Sequence, residues 1–141
     1  LPIFMAMLSY SNFGSDKQGS PLKVHEAIDF LHKTYPDMVV DGEMQVNFAL
    51  DKKLRDDMYP FNKLKGQDVN TLIFPNLSSA NSAYKLLDTL GITETIGPIQ
   101  MGLNKPIHFT DVESSTRDIV NLTTVAVVDA IVQEQIEKEN R

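Results

Sequence analysis

Residues 102–121, with the sequence GLNKPIHFTDVESSTRDIVN, bring together side chains that could take part in catalysis. An imidazole, carboxylates, hydroxyls and a guanidinium follow one another at His108, Asp111, Glu113, Ser114, Ser115, Arg117 and Asp118. Groups of these types could serve as acids, bases or anion ligands in an active-site loop. The Ser115 hydroxyl and the Asp118 carboxylate also have the spacing of a capping box, which starts a helix without any chemistry. The residue types alone leave both interpretations open.

A second polar cluster, SYSNFGS at residues 9–15, follows a short apolar run and precedes a predicted helix. Hydroxyls and backbone N–H groups in such a loop could bind a phosphate or carboxylate without basic side chains. The candidate ligand-binding residues are Ser9, Ser11, Asn12, Gly14 and Ser15. From spacing alone, an ordinary capping loop explains the cluster equally well.

Other candidates each have a plain structural alternative. Asp41 and Glu43 could form an acid–base couple, or they could be a turn residue and a glutamate at a helix N-terminus. His25 and His32 lie nearly two helical turns, about 10 Å, apart, so one metal ion could not bind both. GPIQMG at residues 97–102 lacks the lysine and hydroxyl spacing of a phosphate loop. We therefore predict no metal site, and for His108 a structural role with a ligand contact left open.

Short apolar strands that alternate with helices are expected to position these groups. Strands are predicted at residues 3–8, 38–42, 71–74 and 94–101, with Asp41-Gly42 as a turn and Gly97-Pro98 interrupting the last strand. Their alternation with helices predicts an α/β fold, a mainly parallel sheet covered by helices in αβα layers. Ligands of such sheets lie beyond the carboxyl ends of the strands, in the loops after Leu8, Val40, Phe74 and Met101.

The helices have recognisable ends. The first is predicted from a Ser20 cap to Tyr35, because Pro36 disfavours helix in the residue before it. The following helix, residues 43–58, is broken near Asp51, and the next is capped by Ser78 or Ser79 and ends at Gly91. Residues 119–132 are apolar nearly all round, which predicts a helix buried on most sides. A polar tail, residues 133–141, is predicted to fray.

The composition argues against several classes of protein. A net charge of -6 and a pI near 4.9 oppose binding to nucleic-acid phosphates. The absence of cysteine removes disulfides and thiolate chemistry, and it fits a cytoplasmic protein. No apolar run reaches the roughly 18–20 residues needed to span a bilayer, so no membrane partner is expected. The apolar first residues predict a fragment with residues missing upstream.

Five segments, in this order, resemble the C-terminal half of phosphate acetyltransferases: MLSYSNFGS, PDMVVDGEMQ, LIFPNLSSANSAYKLL, GPIQMGLNKPIH and DIVNLTTVAVVDA. The resemblance covers nearly the whole chain and implies that residues 1–141 form the C-terminal half of a two-subdomain phosphotransacetylase-like fold. The segments SNFGS and DDMYPFNKLKG look most like the phosphotransacetylase-like C-terminal domain of hybrid bacterial NADP-dependent malic enzymes.

The resemblance also bears on catalysis. In the family, the loop after Gly-Leu-Asn-Lys-Pro carries a serine assigned to transition-state stabilisation and an arginine assigned to phosphate binding. An aspartate before Ile-Val-Asn is proposed to deprotonate the thiol. Alignment without gaps places Asp111 at the serine and Val112 at the arginine, and only Asp118 matches. The resemblance therefore implies no efficient acetyl transfer, with Asn104, Lys105 and Asp118 kept as ligand-binding candidates.

By this resemblance the chain is expected to be a non-catalytic regulatory and oligomerisation domain that responds to acetyl-CoA or a related acyl-CoA. The upstream malic enzyme domain, absent from these residues, would hold NADP and a divalent metal and convert malate to pyruvate. A homo-oligomer is expected, with neither nucleic acid nor membrane as a partner. The alternatives are an active phosphate acetyltransferase and a purely structural assembly domain.

Overall fold

The computed structural model describes residues 2–139. The chain divides into two compact units, Leu1–Leu86 and Leu87–Arg141. The elements, in chain order, are β1 (Phe4–Leu8), α1 (Gly19–Thr34), β2 (Val39–Met44), α2 (Val46–Leu50), α3 (Lys52–Met58), β3 (Thr71–Ile73), α4 (Leu77–Thr89) and α5 (Thr116–Glu139).

The first unit contains a three-stranded parallel sheet in the order β2-β1-β3, which confirms the predicted α/β class. In register, Met5 of the central strand lies opposite Val40 on one side and Thr71 on the other. Side chains of β1 and β2 form the core with α2 and the loop after α3. The buried core residues are Ala6, Leu8, Met44, Ala49 and Leu64.

Strand β2 continues through the predicted Asp41-Gly42 turn and ends at Met44, so the turn was wrong. The register shifts opposite Met7 and Leu8, where Gly42 pairs with Met7 and Met44 pairs with Leu8. Gly42 has φ 143°, and a Cβ there would lie 2.5 Å from the Met7 carbonyl oxygen. Only glycine allows this irregular strand, and its consequence is that Glu43 belongs to the sheet and not to a helix N-terminus.

Two predicted helix caps were also wrong. Helix α1 begins after Gln18, before the expected Ser20 cap. Helix α4 begins one residue before Ser78, and its cap is Asn76, whose Oδ1 accepts a hydrogen bond of 2.9 Å from the Ser79 N–H. The helix ends and the break between α2 and α3 agree with prediction. At that break the Asp51 carboxylate accepts the Leu54 N–H at 2.9 Å.

No strand forms at residues 94–101, which corrects the predicted fourth strand. Pro98 has no N–H to donate, and Gly97 has φ 154°, so the middle of this segment is poorly suited to a ladder. Within residues 2–139, no neighbouring strand pairs with it.

Helix α5 starts as predicted but is not buried on most sides. Leu122 is its one buried residue in the described part, while the other large apolar side chains are half-buried or exposed. Residues 90–115 have no helix or strand and cover only a small part of α5. The polar stretch predicted to fray is helical through Glu139, and residues 140–141 lie outside the described part.

By length and composition alone, α5 could cross a membrane. Core helices of soluble proteins meet the same criterion, so this property does not favour a membrane partner over the predicted absence of one.

Candidate functional site: a buried carboxylate and a capped helix

The loop at residues 9–15 surrounds the end of β2, where Glu43 is fully buried. The Ser11 hydroxyl donates to Glu43 Oε1 at 2.9 Å, and the Gly14 N–H donates to the same oxygen at 2.6 Å. A buried carboxylate is stabilised only if such donors replace its lost water. These donors of the loop are therefore directed at a side chain of the chain itself, the carboxyl group of Glu43.

His25 supplies the other contact of this carboxylate. Its Nδ1 lies 3.2 Å from Glu43 Oε2, and its side chain is 47% exposed. Helix α1 carries His25 to this place because it packs against β2 after the loop. The pair was not predicted because the expected strand ended at Gly42, two residues before the observed end of β2 at Met44. If Glu43 had been assigned to the strand, the packing of α1 against β2 would have indicated that His25 lies near it.

Further hydrogen bonds fix the loop on β2. The Ser9 N–H donates to the Met44 carbonyl at 2.9 Å, and Asn12 Oδ1 accepts from the Gln45 N–H at 2.8 Å. Within the loop, Ser15 Oγ lies 2.9 Å from Ser11 Oγ and accepts from the Asn12 N–H at 3.0 Å. The predicted ligand-binding groups of this loop thus lie together, and they contact one another and β2. Their binding of an external ligand stays a prediction.

The proposed couple of Asp41 and Glu43 does not form a direct contact in the described structure. Asp41 is 7% exposed, and its Oδ2 accepts the Lys63 N–H at 2.6 Å. Both carboxylates therefore bind the backbone of neighbouring loops. This arrangement supports a structural role for the two residues.

The DDMYPFNKLKG segment, which the resemblance singled out, is organised around Arg55. This side chain has no exposed surface, and its guanidinium donates to the carbonyls of Ala49, Leu64 and Gln67. Its burial was not predicted because an arginine on a short charged helix gives no sign of burial in the sequence. The buried guanidinium therefore supplies hydrogen-bond donors to backbone carbonyls of the segment.

Asp56 adds a second anchor to the same segment. Its Oδ2 accepts the Gly66 N–H at 2.7 Å, and its Oδ1 accepts from Asn62 at 3.1 Å. Burial alone would raise the pKa of Asp56, but these hydrogen bonds and the charge of Arg55 outweigh it and hold the pKa below its ordinary value. The ionised carboxylate therefore stabilises the folded segment.

In the second unit, the predicted capping box of α5 is confirmed. The Ser115 Oγ accepts the Asp118 N–H at 3.2 Å, and Asp118 Oδ2 accepts the Ser115 N–H at 2.8 Å and the Ser115 hydroxyl at 2.7 Å. The hydrogen bonds from Ser115 lower the pKa of Asp118. Its carboxylate is thus committed to the helix start.

The loop before α5 is a tight turn. Asp111 Oδ1 accepts the Val112 N–H at 2.6 Å, and the Asp111 N–H donates to Ser114 Oγ at 2.9 Å. The Val112 side chain is fully exposed. The two positions that align with the family's serine and arginine are therefore occupied by a turn-forming carboxylate and an unpartnered valine.

The remaining candidates also belong to the second unit. Lys105 Nζ lies 3.6 Å from Glu137 Oε1, and Asn104 is exposed. Arg117, the guanidinium group of the polar stretch at residues 102–121, forms an ion pair with Glu94, with 2.7 Å between its Nη2 and Glu94 Oε2. Among residues 2–139, no group of three or more histidine or acidic side chains is arranged to hold a metal ion.

A parallel sheet with a polar loop after its central strand, followed by a helix-capping loop in a second unit, defines an α/β protein. The chain belongs to the family described as "Phosphate acetyl/butaryl transferase", which matches residues 3–127. Its fold matches a phosphotransacetylase structure from Streptococcus pyogenes with a TM-score of 0.84 at 37% identity. That match covers 93% of this chain and 40% of the other.

Two kinds of relative are similar in sequence. The chain is 40% identical over 129 residues to the NADP-dependent malic enzyme of Salmonella typhimurium, covering 89% of this chain and 17% of that protein. It is 37% identical over 126 residues to the phosphate acetyltransferase of Clostridium acetobutylicum, covering 89% of this chain and 38% of that protein. The match to malic enzymes is with their C-terminal phosphotransacetylase-like domain. The chain thus spans less than half the length of either relative.

Proposed function

We propose that this chain is a non-catalytic regulatory domain of an NADP-dependent malic enzyme and that it responds to acetyl-CoA. The observation that carries the proposal is the pair of residues at Asp111 and Val112, where the family's hydroxyl and guanidinium are expected. Similarity to the malic enzyme of Salmonella typhimurium supports the same assignment.

The chemistry of acetyl transfer is poorly served by this loop. Negative charge develops on the acyl oxygen in the transition state, and removing one donor to such an oxygen typically costs about 10²- to 10³-fold in rate. At the position of the family's serine, Asp111 has a carboxylate and no hydroxyl donor. This carboxylate accepts the Val112 N–H. Val112 also removes the bidentate phosphate contact that only arginine provides.

The retained aspartate is equally unsuited to take a proton from a thiol. Asp118 accepts both the N–H and the hydroxyl of Ser115, and its pKa is lowered by these contacts. A carboxylate with a lowered pKa is a weaker base, and its hydrogen bonds would have to break first. The capping box therefore favours a structural role for Asp118.

A site that binds without reacting suits regulation, because the effector persists and is not consumed. Allostery requires different affinities for the effector in two global states. We propose acetyl-CoA or a related acyl-CoA as that effector, in a cytoplasmic homo-oligomer. A malic enzyme domain with NADP and a divalent metal would carry out the oxidative decarboxylation of malate to pyruvate.

The proposal is tested with the natural protein that contains these residues. Formation of acetyl phosphate from acetyl-CoA and phosphate is expected to stay at background, while acetyl-CoA lowers the rate of malate oxidation. Asp118→Asn is expected to leave both results unchanged. Robust acetyl phosphate formation that Asp118→Asn abolishes would contradict the proposal.

The second candidate is an active phosphate acetyltransferase, favoured by similarity to the enzyme of Clostridium acetobutylicum and by the retained Asp118. Acetyl phosphate formation without any malate oxidation would identify it. Under the purely structural alternative, calorimetry on the intact oligomer would give no heat of binding at millimolar acetyl-CoA.

A further inference from the structure

The second unit contains a cavity of about 410 Å³ between residues 99–108 and helix α5. This volume lies within the roughly 300–1,000 Å³ range of small-molecule sites. Its walls are mainly apolar and include Ile99, Met101, Leu103, Val125, Val128 and Val132. The cavity is separate from the capping box of α5.

His108 also lines this cavity and has no hydrogen-bond partner. Its side chain is 4% exposed, and both Nδ1 and Nε2 are buried without a donor or acceptor in reach. The closest carboxylate, Asp129 Oδ2, lies 3.7 Å from Nε2, beyond hydrogen-bond distance. A neutral imidazole has one donor and one acceptor, and neither is used in the described structure. A group placed beside Nε2 would therefore have to accept from the ring and could donate to the neighbouring Asp129 carboxylate.

The charged side chains around the cavity determine whether it favours a charged or an uncharged ligand. Lys105 also lines the cavity, but its side chain is 77% exposed and its Nζ lies 3.6 Å from Glu137 Oε1. Asp129, whose Oδ1 accepts from the Gln133 amide at 3.3 Å, lies beside His108. The charge closest to His108 is therefore negative, which disfavours an anion. Water in the cavity would leave the apolar walls hydrated. An occupant with an apolar body is more favourable because it removes that apolar surface from water.

We propose that this cavity binds a small uncharged molecule with an apolar body and an amide group. The amide oxygen accepts a hydrogen bond from Nε2 of His108 and the amide N–H donates to Asp129, while the body fills the space beside Val128. This binding site does not depend on the regulatory role proposed above.

Hexanamide and hexanoate test the proposal, because they share an alkyl chain and differ in charge. Each is titrated into the full 141-residue chain, and the ring resonances of His108 are followed by ¹H–¹⁵N NMR. The chain has 3 histidines, so a His108→Gln variant assigns the signal.

Hexanamide is expected to shift the His108 resonances in a saturable manner. Hexanoate should bind about tenfold more weakly, since its charge faces Asp129.

Two variants separate the imidazole from the cavity. His108→Phe keeps an aromatic ring without hydrogen bonding, so hexanamide should bind about tenfold more weakly, and His108→Gln should retain affinity. Because both variants lack the His108 ring, their binding is followed through the backbone amide resonance of Val128, in the cavity wall. Helix content from circular dichroism shows whether each variant folds, and Val128→Phe, which narrows the cavity from α5, replaces His108→Phe if that variant does not. Absence of a saturable shift, equal affinity for hexanoate, or undiminished binding to the folded Phe variant overturns the proposal.

Discussion

Glu43 accepts a hydrogen bond of 2.9 Å from the Ser11 hydroxyl, which joins the end of β2 to the loop after β1 across 32 positions of sequence. The same carboxylate oxygen accepts the Gly14 N–H, and the other oxygen faces His25. One buried acidic side chain thus organises the loop that the sequence suggested for anion binding. The loop conformation should depend on the acceptor at this position more than on any of its own hydroxyls.

Replacing Glu43 by glutamine should destabilise the first unit. The uncharged amide oxygen is a weaker acceptor than a carboxylate oxygen, so the hydrogen bonds from the Ser11 hydroxyl and the Gly14 N–H are weakened. The expected loss in the free energy of unfolding is about 1–3 kcal/mol. Urea unfolding followed by circular dichroism measures it, and Glu26→Gln, on the exposed side of α1, is the matched control. Equal stabilities of the two variants would contradict this role for Glu43.

A truncated site should accept a carboxylate from solution. In Glu43→Ala the Ser11 hydroxyl and the Gly14 N–H remain directed at an empty position, so acetate should raise the urea midpoint of this variant. Wild type should respond much less, because its own carboxylate fills the position. Mass action makes the stabilisation grow with acetate concentration above the dissociation constant. An equal response of both proteins would show that the effect is general to the salt.

Gly42 should tolerate no side chain. A Cβ would lie 2.5 Å from the Met7 carbonyl oxygen, and φ is 143°. Gly42→Ala is therefore expected to lower the free energy of unfolding by about 3–5 kcal/mol. Gly66, at φ 76° with nothing within 4 Å of a Cβ, is the control, and Gly66→Ala should cost about 1 kcal/mol. The difference measures the clash separately from the backbone conformation.

The elements that the sequence predicted correctly are those whose signals are local. Apolar runs identified β1 and β3, and the Ser115–Asp118 spacing located the start of α5 because a capping box needs only four consecutive residues. The failures involve distant partners. Whether residues 94–101 form a strand depends on a neighbour to pair with, and whether α5 is buried depends on what packs over it.

The candidate site divides in the same way. Ser11 and Gly14 were identified from the loop's composition, whereas their partner Glu43 was assigned to the next helix. The shifted register at Gly42 moved it into the sheet, and such a shift leaves no periodic pattern in the sequence. His25 escaped notice for the same reason, since its relevance depends entirely on where Glu43 lies.

Arg55 should be essential to the fold of the segment after α3. Its guanidinium satisfies the carbonyls of Ala49, Leu64 and Gln67, and truncation would leave them buried without donors. Arg55→Ala is expected to lower the free energy of unfolding by about 3–4 kcal/mol. Lys53→Ala, an exposed position on the same helix, should leave the urea midpoint nearly unchanged. A similar small effect at Arg55 would show that water replaces the guanidinium.

Asp118 should make the stability of α5 depend on pH in the acidic range. Its pKa in the folded chain is below the ordinary 3.8 because Ser115 donates to the carboxylate. The unfolded chain therefore binds a proton more readily, so the stabilisation is fully present above pH 3.8 and is lost as pH falls through the folded value. Thermal unfolding followed by circular dichroism at pH 7, 4 and 3 should show a smaller loss for Asp118→Asn than for wild type.

The comparison with a control variant is necessary because Asp16 and Asp56 also have lowered pKa values and contribute to the same pH range. Glu113→Gln removes an exposed carboxylate from the loop before α5 and should keep the full pH dependence of wild type. If Asp118→Asn kept it as well, the carboxylate would not be held by the capping box. Asp118 would then be free to act as a base, and the case against acetyl transfer would rest on Asp111 and Val112 alone.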